Sequence, residues 1–421
     1  MPSDKEQKKS PEEEAEEKKY SFLQEKIKDE AFSRKKVLYK ISWLVGKGLL
    51  FGVAASIGFF ALKPWAESTF QKNPDKIEIP KDEDTQNTPS EDIQTTQEEF
   101  TIEKYKELNS LLTQTALEAK KSVVEVSAVH ENGNLLEEDR GADHKVSGVI
   151  VADNGQELLI LTEMDALSDV SELQVKFVDN TTCTATVKKK DANIGMAIVG
   201  VDRSLIKDTT WDRIKVAELG NSNVLSQGKT VIALGNPFGY SDGMGIGIAS
   251  SVQESVMLAD GEYKVIVTDM PKSAESSGIL FNIDGAVVGI IAPDLGADTG
   301  VLSAYGISSI KSEIELMSNA KEVPYIGIVG TMITEDIATA QNIPEGFCVT
   351  EVEADSPAMK AGIQNGDIIT HIDKKKIESV IGYHSTMITQ DVGTEVTLTG
   401  QRRGAEEYVE IHFTVTIGIK E

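Results

Sequence analysis

Cysteine is nearly absent from this 421-residue chain, with Cys183 and Cys348 the only two. A disulfide framework is therefore excluded as the organising principle, and the strand-like runs around both residues mark them as buried free thiols. The five histidines do not cluster with Cys, Asp or Glu at ligand spacing, so neither a metal nor another cofactor is expected. Aromatic residues make up only 6% of the chain, against 34 glycines. With Val, Ile and Thr abundant after Ser122, this balance favours strands joined by tight turns over helical bundles. Basic charge is also short: the formal net charge is -26. Nucleic acid is thereby excluded as a partner, because phosphate binding depends on Lys and Arg releasing counterions.

Long apolar runs are missing with one exception. Ile41 to Leu62 reads ISWLVGKGLLFGVAASIGFFAL, enough at about 1.5 Å per residue to cross a hydrocarbon layer of roughly 30 Å. Its one charge, Lys47, lies near the N-terminal end, where it snorkels toward headgroups. Arg34, Lys35, Lys36 and Lys40 precede the segment, whereas Asp and Glu dominate the residues after it. That asymmetry predicts a single-pass cell-membrane protein with its N-terminus cytoplasmic and the bulk of the chain extracytoplasmic.

The remainder divides by composition. Residues 1–40 form a mixed-charge cytoplasmic segment, 41–63 the transmembrane helix, and 64–100 a flexible acidic tether rich in Gln, Thr, Asn and Pro. From Thr101, Tyr105, Leu108, Leu111, Leu112, Ala116 and Ala119 recur at helical spacing. After Ser122 short β-branched runs alternate with Gly, Asn and Asp turns, the pattern of a barrel or sandwich. A helical stretch closes this unit near Ser318, and Glu322-Val323-Pro324 marks a boundary. The chain is too long for one hydrophobic core, which agrees with two folded domains, 101–321 and 323–421, plus appendages.

The order of three early strands, Ser122-Val123-Val124-Glu125-Val126, Ser147-Gly148-Val149-Ile150-Val151 and Leu159-Ile160-Leu161-Thr162, resembles the opening of the HtrA (Deg) family of trypsin-like serine proteases. So do the run Val231 to Gly239 (VIALGNPFG), Thr268-Asp269, and Gly285-Ala286-Val287-Val288-Gly289-Ile290. The resemblance spans nearly all of Thr101 to Glu421 and implies a mainly β fold: a trypsin-like double β-barrel followed by an α+β PDZ domain. It also implies homotrimers assembled through the N-terminal part of the protease domain.

The family's chemistry requires a Ser nucleophile, a His base and an Asp that orients the imidazole. At the position matching His this chain has Asp165, a poor base toward a hydroxyl at its ordinary pKa. Gly195 stands where the Asp is expected and supplies no carboxylate. Around the nucleophile the chain reads Ala274-Glu275-Ser276-Ser277-Gly278, one residue short of the family pattern. Matching from the strand side nominates Ser276, and matching from Thr268-Asp269 nominates Ser277. Ala274 or Glu275 replaces the glycine that helps aim a backbone N–H at the oxyanion. The expected catalytic set is therefore not intact.

Tyr325 to Glu421 resembles a PDZ domain, most clearly in VEADSPAMKAGIQNGD from Val352 to Asp367. Tyr325, Ile326, Gly327 and Ile328 match its carboxylate-binding loop and ligand-pairing strand, which take up polypeptides or protein C-termini by β-augmentation. A second helix is expected within Ile377 to Gln390, with either the His384/Ile388 pair or the Tyr383/Met387 pair facing the core. The function implied is that of a proteolytically inactive, membrane-anchored scaffold that binds polypeptides in protein quality control or regulation. The alternative is an active endopeptidase with unconventional chemistry around Ser276 or Ser277.

Overall fold

The computed structural model describes residues 75–82, 101–129, 145–164, 172–292, 295 and 300–420, together with Trp43 and Lys47. Among the described residues no helix is long and apolar enough to cross a membrane. The rest of the apolar run Ile41 to Leu62 lies outside them. Trp43 and Lys47 are both helical, with the Lys47 ammonium 3.6 Å from the centroid of the Trp43 ring.

The chain from Ile102 opens with α1 (Ile102–Ala119). Thr101 caps it by accepting a hydrogen bond from the Lys104 N–H, and Glu103 favours the positive end of the helix dipole. Twelve strands come next and close into two barrels. The first runs β1 (Val123–Val129), β2 (Lys145–Asp153), β3 (Glu157–Glu163), β4 (Glu172–Lys176), β5 (Thr182–Asp191) and β6 (Met196–Asp202), with spatial order β1-β2-β3-β6-β5-β4. The short helix α2 (Asp208–Trp211) leads onward. The second barrel contains β7 (Thr230–Asn236), β8 (Gly243–Leu258), β9 (Gly261–Pro271), β10 (Ser277–Phe281), β11 (Val287–Ile291) and β12 (Val301–Gly306), ordered β10-β11-β12-β9-β8-β7. Closure leaves neither sheet an open edge. A 3₁₀ turn at Ile307–Ser309 and α3 (Lys311–Ser318) end the unit.

The PDZ domain is a sheet ordered β13-β14-β15-β17-β18, from β13 (Ile328–Ile333), β14 (Gly346–Val352), β15 (Ile368–Ile372), β17 (Glu395–Arg403) and β18 (Tyr408–Thr416), with β16 (Lys375–Lys376) paired to β15. Three helices accompany it: α4 (Glu335–Gln341), α5 (Pro357–Lys360) and α6 (Val380–Met387). Its core is separate from those of the barrels and includes Ile326, Phe347, Ile369, Tyr383, Met387, Leu398 and Val415. Phe347 and Tyr383 stack at 4.4 Å. Tyr383 and Met387 thus supply the core face of α6, which turns His384 and Ile388 toward the barrels.

Two features depart from the sequence expectation. Part of the segment read as a flexible tether, residues 75–82, is fastened to the end of the second barrel unit. Asn319 Oδ1 accepts from the Ile77 N–H at 2.9 Å, and Asp82 pairs with the almost buried Lys311 at 2.9 Å while accepting from Ser308 Oγ. The apolar side chains Ile77 and Ile79 pack on the barrel core, so composition alone concealed a short docking segment. Conversely, α1 buries only Ala116 and Ala119, leaving Ile102, Tyr105, Leu108, Leu111 and Leu117 exposed. Cys183 is buried and Cys348 half-buried, and both are free.

Candidate functional site

The cleft chemistry expected of a trypsin-like fold should lie where the two barrels meet. There β2, β7 and β10 approach so closely that a Cβ at Gly235 would lie 2.3 Å from Ser147 Oγ. Gly235 has φ +113, so it supplies both the space and the backbone conformation. Ser147 Oγ accepts from the Asn236 N–H at 2.9 Å and lies 3.3 Å from Ser277 Oγ. Ser277 Oγ in turn accepts from the Ser147 N–H at 3.0 Å. The hydroxyl of Ser277 therefore fastens one barrel to the other.

Ser276 is equally engaged. Its hydroxyl donates to the Pro237 carbonyl at 2.7 Å and accepts from the Ser273 N–H at 2.8 Å, closing the turn before β10. Ser276 is 1% exposed and Ser277 2%, so neither side chain faces solvent. Gly195 lies in the turn between β5 and β6 at φ +68, a left-handed conformation that suits glycine. Asp165, His130 and His144 lie outside the described residues. The described imidazoles are all in the PDZ domain: His371 bonds Thr370, His412 bonds Thr399 and Glu410, and His384 bonds Asp260 and Glu313. Among the described residues no His, Cys, Asp and Glu group could hold a metal ion.

A cavity of about 250 Å³ opens beside this seam, between α1 and the two barrels, lined by residues that include Val123, Glu125, Ser147, Leu234 and Asn236. The lysines at its rim are paired: Lys120 with Asp242, and Lys176 with Glu125 at 2.8 Å. Burial works against the charge on Glu125, but hydrogen bonds from Lys176 and Ser241 and the charges of Lys176 and Lys145 hold its carboxyl below the usual range.

The PDZ residues gather at a different place, against the β8–β9 hairpin. Tyr325, Ile326, Ile328 and Ile388 are all buried, and Gly327 adopts φ +87 with Ser356 and Tyr325 filling the space a side chain would need. His384 Nδ1 lies 3.0 Å from the carbonyl oxygen of Asp260, and its Nε2 lies 3.1 Å from Glu313 Oε1. Both ring nitrogens face acceptors, an arrangement that suits the imidazolium. Burial opposes that charge, but the Glu313 carboxylate outweighs it and His384 is pushed up to about 9. Asp191 joins the cluster: burial first, and the Glu313 charge second, push its carboxyl up to about 7. Tyr263 donates to Glu313 at 3.1 Å, and Lys420 reaches across to Asn193 at 3.3 Å.

Sequence reasoning named His384 but not Asp260, Glu313 or Tyr263. The only local signal at Asp260 is an Asp-Gly pair between two strands, and that pattern announces a hairpin turn whether or not the carboxylate has a second task.

Comparison with known proteins separates the same two units. The trypsin-like peptidase domain family matches residues 146–290, and the PDZ domain family matches residues 324–413. The serine protease Do-like HtrA of Lactobacillus helveticus is 27% identical over 299 residues, covering 66% of this chain and 70% of that protein. The periplasmic serine endoprotease DegP of Escherichia coli K12 is 30% identical over 275 residues, and the match spans 63% of this chain but only 56% of that protein. In fold, the HtrA-type protease AlgW, solved with a tripeptide, superposes with a TM-score of 0.53 at 20% identity, covering 74% of this chain and 97% of AlgW. A serine endoprotease from Yersinia pestis gives 0.50 at 24% identity, over 74% of this chain and 98% of that one.

Proposed function

We propose that this chain, which matches the trypsin-like peptidase and PDZ domain families, is a proteolytically inactive scaffold of the HtrA/DegP kind that binds polypeptide C-termini through its PDZ domain. The observation that carries this is the state of the two candidate nucleophiles. Both hydroxyls are buried and bonded to the protein's own backbone or to Ser147. Gly195 offers no carboxylate to orient a base, and the described imidazoles are engaged within the PDZ domain or at its junction with the barrels. A serine-directed fluorophosphonate should leave Ser276 and Ser277 unmodified, and an adduct on either overturns the proposal. The relatives named as serine proteases favour a second reading, an endopeptidase acting through Ser276 or Ser277, and the same labelling decides between them.

We further infer that the scaffold is anchored in the cell membrane through Ile41 to Leu62, with its folded domains extracytoplasmic. The basic residues before the segment and acidic residues after it support this orientation. Protease treatment of intact cells should remove the PDZ domain, and its protection would refute the topology. The exposed apolar row on α1 supports homotrimers, and the role inferred for the whole is protein quality control or regulation.

A further inference from the structure

The carboxylate-binding loop of the PDZ domain already holds a carboxylate. Asp260, at the tip of the β8–β9 hairpin, places Oδ2 at 2.7 Å from the Ile326 amide nitrogen and 2.8 Å from that of Gly327, with Oδ1 at 3.3 Å from that of Ile328. Three successive N–H groups therefore converge on one side chain, the geometry of an anion nest. The Tyr383 hydroxyl donates to Oδ1 at 2.7 Å. The main chain of the same residue completes the likeness to a bound peptide end: its N–H donates to the Ile328 carbonyl at 2.8 Å, and its carbonyl lies 3.0 Å from His384 Nδ1.

Three details distinguish this from incidental packing. Asp260 is a non-glycine residue at φ +59, where glycine would relieve the backbone, yet its side chain is fully engaged. Gly261 has no room for a side chain, since a Cβ there would meet His384 Nδ1 at 2.8 Å, so the hairpin tip is shaped to enter. Only about 20 Å³ of open space remains beside the tip, among residues that include Asp191, Tyr263, Tyr325 and His384. That cavity is too small to admit a second polypeptide.

We propose that Asp260 occupies the PDZ carboxylate loop in cis, so that an external C-terminus binds only by displacing the β8–β9 hairpin tip. This rests on the reading of the PDZ domain as a C-terminus binder. Because β9 belongs to the second barrel, displacement also releases the PDZ domain from its junction with that barrel. An arriving C-terminus thus exchanges one carboxylate for another.

The test uses the full chain and its Asp260→Gly variant, which deletes the carboxylate while favouring the observed turn conformation. Hydrogen exchange over residues 325–328 should accelerate about tenfold or more in the variant, while exchange in the β17–β18 pair stays unchanged and reports an intact fold. A fluorescent peptide pool ending in Val, Leu, Ile or Phe with a free carboxylate should bind the variant about tenfold or more tightly than the parent, with no such gain for the amidated pool. Unchanged exchange over 325–328 overturns the cis contact. Equal affinity of parent and variant for the free-acid pool overturns the competition but leaves the C-terminus reading standing. Faster exchange with no peptide bound by either protein overturns the C-terminus reading itself. Should Asp260→Gly fail to fold, Asp260→Asn keeps the shape and tolerates the same turn conformation, and the same outcomes apply.

Discussion

Arg402 shows how much one side chain holds in the PDZ domain. Its guanidinium bonds both oxygens of the buried Asp367, at 2.6 and 2.7 Å, and also reaches the Gly362 carbonyl at 2.8 Å. Asp367 also accepts from the Gln364 N–H, so the strongest motif in the sequence, Val352 to Asp367, is closed on itself by this pair. Arg402→Ala would strand a buried carboxylate, and a loss of about 3 kcal/mol is expected, at the low end for a buried pair because Arg402 is partly exposed. Urea denaturation measures it, and a loss below about 1 kcal/mol would show that solvent replaces the arginine. At this scale the sequence reading places Asp165 and Gly195 where the resemblance expects His and Asp, since a strand run fixes which residue comes after it. It did not decide between Ser276 and Ser277, because a segment one residue short can be matched from either end. The structure begins β10 at Ser277 and leaves Ser276 in the preceding turn, with each hydroxyl given its own structural bonds.

Among the elements, the β8–β9 hairpin and α6 form the junction on which pH should act. The charged and titratable groups facing His384 are Glu313 on α3, Asp191 on β5, Tyr263 on β9, Asp260 at the hairpin tip, Tyr383 on α6, and Tyr325 and Lys420 near the PDZ termini. His384 is raised in the fold from 6.5 to about 9, so it contributes stability that is complete below about 6.5 and is lost as pH rises through about 9. Asp191 has the same sign, its share falling away as pH rises through about 7. The melting temperature should therefore decline from about pH 6.5 to 9, and His384→Gln should flatten that decline. A wild-type profile level over this window, or a variant with an unchanged slope, would contradict the assignment. The strands forming this junction were largely legible, as runs such as YKVIVTD alternate with turn residues. The docking of the hairpin tip was not, since it depends on a tertiary meeting of Asp260 with a loop more than sixty residues away.

For the whole molecule, the double barrel and PDZ sheet were readable because each strand repeats a local pattern, and their order carried the resemblance. The residues that decide activity are harder to read, since whether a serine is available for chemistry must be judged from what surrounds it rather than from its presence. Ser276 and Ser277 remain in the sequence, but folding uses their hydroxyls to close a turn and to join two barrels. The Asp260 contact sets the remaining recognition surface under the control of the same barrel. The central claim is that this protease fold has kept its architecture and lost its chemistry. Turnover of an unfolded protein substrate by the full chain, set beside a Ser276→Ala/Ser277→Ala double variant, tests it most directly. The account predicts no cleavage above background in either protein, whereas cleavage by the parent that disappears in the variant would contradict it.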